Sequence, residues 1–68
     1  MNKYKVEKIR RIREYKMLFS ILSDYHTRNL DYENDGRDGT LYFAIPKADS
    51  DEMSKRLKES GLVFKVLE

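Results

Sequence analysis

The prediction of the fold rests on residues 40–67, which read TLYFAIPKADSDEMSKRLKESGLVFKVL. The stretch opens with β-branched and aromatic side chains that stop at Pro46, a pattern typical of a strand. Asp49 with Glu52 three residues later predicts the start of a helix, and Gly61 predicts its end. The apolar residues that follow predict a second strand. We therefore expect a β-α-β unit in which the two strands are parallel and adjacent.

The N-terminal part of the chain predicts an amphipathic helix. On a helical wheel, seven side chains fall within about a third of the circle: Ile12, Tyr15, Leu18, Phe19, Leu22, Tyr25 and His26. Asn2 is an available N-cap, whereas no side chain near Arg10 predicts a cap for a later start. We therefore expect one long helix over about residues 3–28. A short strand over residues 4–9, before a shorter helix, is the alternative.

Between the long helix and the β-α-β unit, residues 29–39 predict a loop, because Asn-Asp-Gly and Asp-Gly sequences favour turns. The expected fold is a small single domain over residues 1–68, of the α+β or α/β class. In it the long N-terminal helix packs on a minimal β-α-β unit of residues 40–67, and the element order is α-β-α-β. A strand at residues 4–9 would change that order to β-α-β-α-β.

The small size of the chain also predicts how it is stabilised. It has 68 residues and no cysteine. A domain of this size buries only about 60% of the surface that its unfolded chain exposes, and no disulfide can support it. We therefore expect oligomerisation or docking on a partner to contribute stability. No apolar run approaches the roughly 18 residues of a membrane span, so we expect a cytoplasmic protein that does not bind membranes.

The sequence predicts no catalytic, metal-binding or cofactor-binding site. The single histidine, His26, has no partner placed to act with it, because Ser23 and Asp24 point to other sides of the predicted helix. The acidic residues 31–36 have the oxygen-rich start of a calcium loop, but the glutamate that such a loop needs near its end is missing. We expect neither an enzyme nor a small-molecule substrate.

The basic N-terminal segment predicts a charged partner. Residues 1–16 carry seven lysines and arginines against two glutamates. The candidate contacts to nucleic acid or to an acidic protein are Lys3, Lys5, Lys8, Arg10, Arg11 and Arg13. On the predicted helix these cations are spread around the axis instead of sharing one face, which is more typical of a solvated helix end. Nucleic acid is therefore the alternative partner.

The shortage of strands predicts a protein partner. Two strands make a marginal sheet with open edges, and the last strand is apolar on both faces except at Lys65. The candidate interface residues are Tyr4, Tyr32, Val63, Lys65 and Leu67. We expect a small intracellular, non-enzymatic binding protein, a regulator or inhibitor, that acts on another protein or on a second copy of itself. The alternative is a nucleic-acid-binding accessory domain that uses the basic N-terminal helix.

Overall fold

The strands and helices of the protein follow each other in an order that differs from the predicted one. The computed structural model describes residues 1–67 and, within that range, the side chains of all but residues 29 and 30. Its elements are the strands β1 (Asn2–Ile9), β2 (Arg28–Asn34), β3 (Gly39–Ile45) and β4 (Val63–Val66) and the helices α1 (Ile12–Leu22) and α2 (Ser50–Ser60). A short 3-10 turn, Lys47–Asp49, leads into α2. The element order is β-α-β-β-α-β.

The predicted long N-terminal helix is wrong, and so is the order α-β-α-β. Residues 3–28 divide into most of β1, all of α1 and the first residue of β2. The alternative order β-α-β-α-β includes a strand at residues 4–9, which lies within β1, but it lacks β2. The expected loop over residues 29–39 instead contains most of β2 and its turn into β3.

The sheet has the strand order β2-β3-β1-β4, and every neighbouring pair is antiparallel. β1 lies between β3 and β4, so the predicted direct pairing of those two strands is wrong; they run parallel only with β1 inserted between them. Two β-α-β units interleave in this way, which is the ferredoxin-like arrangement. Many unrelated functions use this fold, so the fold alone implies none of them.

β1 is a strand because its side chains alternate between two environments. Tyr4 and Val6 are fully buried, whereas Lys5 between them is directed away from the core. This period of two is typical of a strand with one covered face. The register with β3 shifts between Val6 and Ile9, and Lys8 at this bulge has a φ of 57°. The bulge returns Ile9 to the core.

α1 begins at Ile12 because a carboxylate holds the chain that enters it. Oε1 of Glu14 accepts hydrogen bonds from the backbone N–H groups of Arg10 and Arg11, at 3.2 and 3.1 Å. A side chain within the first turn therefore satisfies amides for which the residues before the helix offer no cap. The helix start near Arg10, for which the sequence predicts no cap, is therefore capped by Glu14 from within the first turn of the helix.

Both helices pack on one face of the sheet and share one core with it. The buried core residues are Tyr4, Val6, Ile9, Leu18, Ile21, Leu22, Leu41, Phe43, Ile45, Met53, Leu57 and Leu62. α1 turns Leu18, Ile21 and Leu22 inward. Three members of the predicted apolar stripe are exposed and lie outside the core: Ile12, which is 74% exposed, Phe19, which is 48% exposed, and His26.

Candidate functional site

The face of the sheet opposite the helices presents the side chains that alternate with the core residues along each strand. We call this surface the open face. Its members are Arg28, Asp31 and Glu33 of β2, Thr40, Tyr42 and Ala44 of β3, Lys3, Lys5 and Glu7 of β1, Val63 and Lys65 of β4, and Leu67 just after it. Three of the predicted interface residues, Val63, Lys65 and Leu67, and two of the predicted basic contacts, Lys3 and Lys5, therefore share one surface.

Charge changes sign across the open face, from acidic at β2 to basic at β1 and β4. The register places Asp31 opposite Tyr42, and Tyr42 opposite Lys5. Lys5 in turn lies opposite Lys65, so these residues form one row across all strands. The ammonium nitrogen of Lys5 is 6.0 Å from the centroid of the Tyr42 ring, within cation–π range. At the end of β2, Arg28 lies opposite Ala44 and adds a cation to that strand.

β4 and the residue after it contribute the apolar part of the open face and of the edge beside it. Val63, Val66 and Leu67 are 44%, 46% and 47% exposed, although all are aliphatic. The N–H of Leu67 donates to the Lys3 carbonyl oxygen at 2.8 Å, which holds the chain end on the sheet. A depression of about 400 Å³ separates Leu67 from the carboxylates of β2, with Tyr42 in its lining. Exposed aliphatic groups gathered in this way are typical of a surface that meets a partner.

The remaining basic residues lie at a second place, the junction of β1 and α1. Lys8, Arg10, Arg11 and Arg13 surround a depression of about 500 Å³, and we call these four residues the basic rim. The predicted basic N-terminal helix is therefore wrong. Its cations are divided between a strand, a junction and the first turn of α1, and those of β1 that precede the bulge lie on the open face.

Two carboxylates reduce the positive charge of the basic rim. Nε of Arg10 donates to Oδ1 of Asp38 at 2.6 Å, and Nη2 of Arg10 donates to Oδ2 at 3.4 Å. This hydrogen-bonded pairing raises the pKa of Arg10. The Glu14 carboxylate also lines the depression. The exposed cations left to meet a ligand at the rim are Lys8, Arg11 and Arg13.

The two tyrosines predicted at an interface lie away from the open face. Tyr4 is fully buried, so its place in the predicted interface is wrong. Its hydroxyl donates to the Ser50 carbonyl oxygen at 2.8 Å and lies 2.7 Å from the hydroxyls of Ser50 and Ser54. Tyr32 is exposed, but it lies on the helix side of β2, where its hydroxyl is 2.8 Å from that of Tyr15.

The pair of tyrosines links α1 to the edge strand β2. The Tyr32 hydroxyl oxygen also accepts a hydrogen bond from Nδ2 of Asn34 at 3.0 Å, and the Tyr15 hydroxyl also donates to the Ile9 carbonyl oxygen at 3.4 Å. Either hydroxyl can donate in the hydrogen bond between the two tyrosines. The hydrogen bonds with Tyr15 and Asn34 lower the pKa of Tyr32. The hydrogen bond to Tyr32, followed by burial, raises the pKa of Tyr15 to about 12. A Cβ at Gly39 would overlap the Tyr15 hydroxyl, so glycine leaves room for this contact.

Replacing Tyr32 by Phe is expected to lower the pKa of Tyr15 from about 12 toward its ordinary value of 10.0, because the hydrogen bond that retains its proton is lost. In the wild type, the raised pKa makes a contribution to stability that is complete below pH 10.0 and is lost as the pH rises to about 12. The lowered pKa of Tyr32 acts in the opposite sense. NMR titration of the tyrosine ring carbons measures each group. An unchanged pKa of Tyr15 in the variant would contradict the pairing.

Potential metal ligands do not gather in the part of the chain that the structure describes. Among residues 1–67, no three His, Asp or Glu side chains are placed to hold a metal ion. In the turn after β2, the Asp35 carboxylate accepts hydrogen bonds from the backbone N–H groups of Asp38 and Arg37, at 2.7 and 2.9 Å. These bonds lower the pKa of Asp35. The acidic segment thus includes a hydrogen-bonded hairpin turn, and His26 is exposed beyond the end of α1.

Comparison with known proteins assigns no family. No protein-family model matches the chain, and no curated protein is significantly similar to it. None of the helices within residues 1–67 combines the length and the apolar character that crossing a bilayer requires. What the protein binds must therefore be inferred from the open face and the basic rim.

Sequence reasoning does not place Asp31, Glu33 and Tyr42 on a candidate surface, although they form the acidic and aromatic part of the open face. The signal lies in residues 28–45. Two stretches with alternating side chains flank an Asn-Asp-Gly and an Asp-Gly sequence there, a pattern typical of a hairpin. Interpreting the first stretch as a strand puts both carboxylates on one face.

Proposed function

We propose that the protein is a small non-enzymatic binding protein that regulates or inhibits its partner by docking the open face against another protein. The observation that carries this proposal is a sheet face opposite both helices, where exposed aliphatic side chains lie beside a row of opposite charges. Such a mixed surface suits a protein partner, because apolar contacts supply affinity and charges set the orientation. Val63 and Leu67 supply the apolar contacts, and the row from Asp31 to Lys65 supplies the charges.

The carboxylates of β2 argue against nucleic acid on the open face. Asp31 and Glu33 would repel phosphates along most of the β2 side of this surface, where Arg28 supplies a cation at one end. Sheets that bind single strands stack two or three bases on aromatic side chains, whereas Tyr42 is the single aromatic side chain that the described residues place here. A protein partner therefore fits the open face better.

The non-enzymatic part of the proposal rests on the shape and chemistry of the open face. Its depression is shallow, and active sites are more often clefts that surround the substrate and exclude water. The ammonium group of Lys5 is engaged 3.5 Å from the Glu7 carboxylate and near the Tyr42 ring. Charges paired in this way favour recognition over proton transfer.

Replacing Val63 and Leu67 by lysine is expected to release the partner when the protein is captured, together with what it binds, from the cells that naturally produce it. Two added charges oppose the burial of this surface, and neither residue belongs to the core. We expect the amount of retained partner to fall by about tenfold or more, the scale of losing a binding hot spot. Quantitative mass spectrometry of the captured material measures it.

The control for this experiment carries the same change of charge on another surface. Glu52→Gln with Glu59→Gln raises the net charge by the same two units, because it removes two carboxylates at exposed positions of α2. This control is expected to retain the partner in the wild-type ratio. Equal retention by the control and by the lysine variant would contradict docking at the open face.

The basic rim supports binding of nucleic acid as a second candidate function. Lys8, Arg11 and Arg13 are exposed around one depression, and contacts to phosphates need such cations. The pairing of Arg10 with Asp38 weakens this candidate, because it removes one cation from the set. A wild-type protein that binds neither DNA nor RNA at low salt would rule out this second candidate function.

A further inference from the structure

We propose that the protein forms a symmetric dimer in which the free edge of β4 pairs with β4 of a second copy. The two strands run antiparallel about a two-fold axis perpendicular to the sheet, so the sheets of both copies join into one continuous sheet. The helices of both copies then lie on the same side of that sheet. This contact is separate from docking at the open face, because it uses the edge of the sheet.

The outer backbone groups of β4 are directed away from the chain's own sheet. β4 is the last strand in the sheet order, beside β1. The N–H of Leu67 donates to the Lys3 carbonyl oxygen, so Leu67 and every second residue before it bond to β1. The residues between them direct their N–H and C=O groups outward. These residues are Phe64 and Val66, and an antiparallel strand placed beside them can bond their backbone groups.

The opposite edge of the sheet, at β2, is less open to pairing. The bond of 3.2 Å from the Asp35 N–H to the Asp38 carbonyl oxygen sets the hairpin register, which directs the N–H of Tyr32 outward. Oδ1 of Asp31 accepts a hydrogen bond from that N–H at 2.8 Å. A carboxylate therefore occupies this outward donor and adds charge to the edge. Charged side chains on an edge strand oppose pairing with another chain.

β4 leaves aliphatic groups in water on both faces of the sheet. Val63 lies on the open face and is 44% exposed. Val66 lies opposite Tyr4, hence on the helix side, and is 46% exposed. A neighbouring strand covers both faces of an edge at once. A chain of 68 residues without cysteine has a small core, and a second copy extends that core.

The register of the pair is centred on Phe64, which lies opposite Phe64 of the other copy. These two residues exchange hydrogen bonds between their backbone groups. Val66 lies opposite Leu62 of the other copy and donates its N–H to the carbonyl oxygen there. The N–H of Leu62 remains with Oγ of Ser60, which it reaches at 3.3 Å. Val66 thus packs against Leu62, a core residue beside the edge.

The two phenylalanine rings join the cores of the two copies. Within one copy, the Tyr4 ring stacks on Phe43 at 5.3 Å and on Phe64 at 6.2 Å between centroids. Phe64 is partly buried and lies on the helix side of the sheet, opposite Val6. Aromatic side chains opposite one another on adjacent strands stabilise the pair. The row of stacked rings therefore continues across the two-fold axis.

The charges on the open face favour the same register. Val63 lies opposite Glu7 on β1, and Lys65 lies opposite Lys5. In the pair centred on Phe64, Val63 faces Lys65 of the other copy. The Glu7 carboxylate then lies in one row with that lysine, two strands or about 10 Å away along the backbone. Both side chains are long enough to meet above Val63, and the two-fold axis repeats this contact.

The neighbouring registers are less favourable. A pair centred on Lys65 sets this lysine against its own counterpart, with Lys5 of each copy beyond it, and like charges in direct opposition are destabilising. A pair centred on Val66 moves Phe64 past the end of the other strand. A pair centred on Val63 runs β4 into the turn that follows α2. A short edge strand with a lysine usually resists pairing, and only the register centred on Phe64 gives that lysine an aliphatic neighbour.

Val66→Pro tests the pairing because it removes an outward N–H that makes no bond to β1. Two-fold symmetry removes the hydrogen bond twice. Val66→Ala is the matched control, since it also loses the valine side chain but keeps the N–H. The Kd of the dimer is expected to be about a hundredfold higher for the proline variant than for the alanine variant, roughly tenfold for each lost bond. Analytical ultracentrifugation measures both values, and circular dichroism establishes that each variant is folded.

Cysteine cross-linking tests the register, and the chain has no cysteine of its own to interfere. Val63→Cys in one copy lies directly opposite Lys65→Cys in another, within the range that a disulfide spans. A mixture of the two variants is expected to form the mixed disulfide under mild oxidation. Either variant alone is expected not to cross-link, because its two cysteines are offset by two positions along the strands. Lys55→Cys, at an exposed position of α2, replaces Lys65→Cys in the control mixture.

Three results would overturn the proposal. The first is a wild type that remains monomeric at the highest concentration reached. The second is a folded Val66→Pro variant that dimerises as tightly as Val66→Ala. The third is a Lys65→Cys variant that cross-links with itself in preference to Val63→Cys, or a mixed disulfide no more abundant than in the control mixture. The cross-linking result stands by itself if the proline variant does not fold.

The fate of the open face is measured separately from that of the dimer. Val66 lies on the helix side of the sheet. A monomeric Val66→Pro variant is therefore expected to retain the protein captured by the open face. A monomeric wild type whose captured protein is still lost on replacing Val63 and Leu67 by lysine would overturn the dimer and leave the proposed function in place.

Discussion

Phe43→Ala is expected to unfold most of the protein in buffer without denaturant. Phe43 is fully buried, and its ring stacks on that of Tyr4 with centroids 5.3 Å apart. Truncating a buried Phe costs about 3–5 kcal/mol. A core in a domain of this size rarely supplies more than about 3–5 kcal/mol in total. Urea unfolding followed by circular dichroism measures the change, and a variant without a cooperative transition is the expected result.

The matched control for this prediction is Phe19→Ala, because the helical wheel places Phe19 in the core and the structure does not. Phe19 is 48% exposed and stacks only loosely on Tyr15, at 6.5 Å between ring centroids. Its truncation is expected to cost about 1 kcal/mol, close to the typical effect of a point substitution. Equal losses of stability in the two variants would contradict the orientation of α1 described above.

The C-terminal elements are predictable because their signals are local. Pro46 ends β3, and Gly61 ends α2 with a φ of 81°, a left-handed conformation that glycine adopts without strain. Asp49 stands at the N-cap of α2 as predicted, although its side chain makes no capping hydrogen bond. The separation of β3 from β4 in the sheet is not predictable from these signals, because the strand that lies between them is β1, at the other end of the sequence.

β1 is predicted only as the alternative to a longer helix, because distant parts of the chain create its environment. Tyr4 is buried where Phe43 lies opposite it on β3, Val66 lies opposite it on β4 and α2 covers its hydroxyl. The bulge at Lys8 then breaks the alternation, so the apolar residues on either side of it do not follow one strict period of two. Continuing the strong periodicity of α1 toward the N-terminus is the simpler local interpretation, and it is wrong.

β2 is not predicted, because it is an edge strand with polar side chains on both of its faces. Its described side chains are exposed, so burial imposes no strict apolar pattern on them. The turn sequences after it were sufficient to predict a reversal of the chain but not to extend a strand before it. A fold prediction that lacks β2 does not place Asp31 and Glu33 on the open face. The sequence alone therefore predicts apolar and basic residues of this surface but not its acidic ones.

Tyr4→Ala is expected to cost about 3–5 kcal/mol, the cost of truncating a large buried aromatic side chain. The reason is that Tyr4 joins the centre of the sheet to α2. Its ring stacks on Phe43, and its hydroxyl reaches Ser50 and Ser54 through the bonds of 2.7–2.8 Å described above. Urea unfolding measures the loss, and the variant is expected to lack a stable folded state.

Tyr4→Phe separates the two contributions and keeps the prediction testable in a folded protein. It retains the ring but leaves the polar groups of Ser50 and Ser54 without their buried partner, which is expected to cost about 1–3 kcal/mol. Tyr42→Phe makes the same chemical change on the open face, and it is expected to change the free energy of unfolding by less than about 0.5 kcal/mol. A long N-terminal helix would expose Tyr4 and make the two substitutions equivalent. A clear excess for Tyr4→Phe therefore distinguishes a central strand from that helix, and equal effects would contradict the position of β1 between β3 and β4.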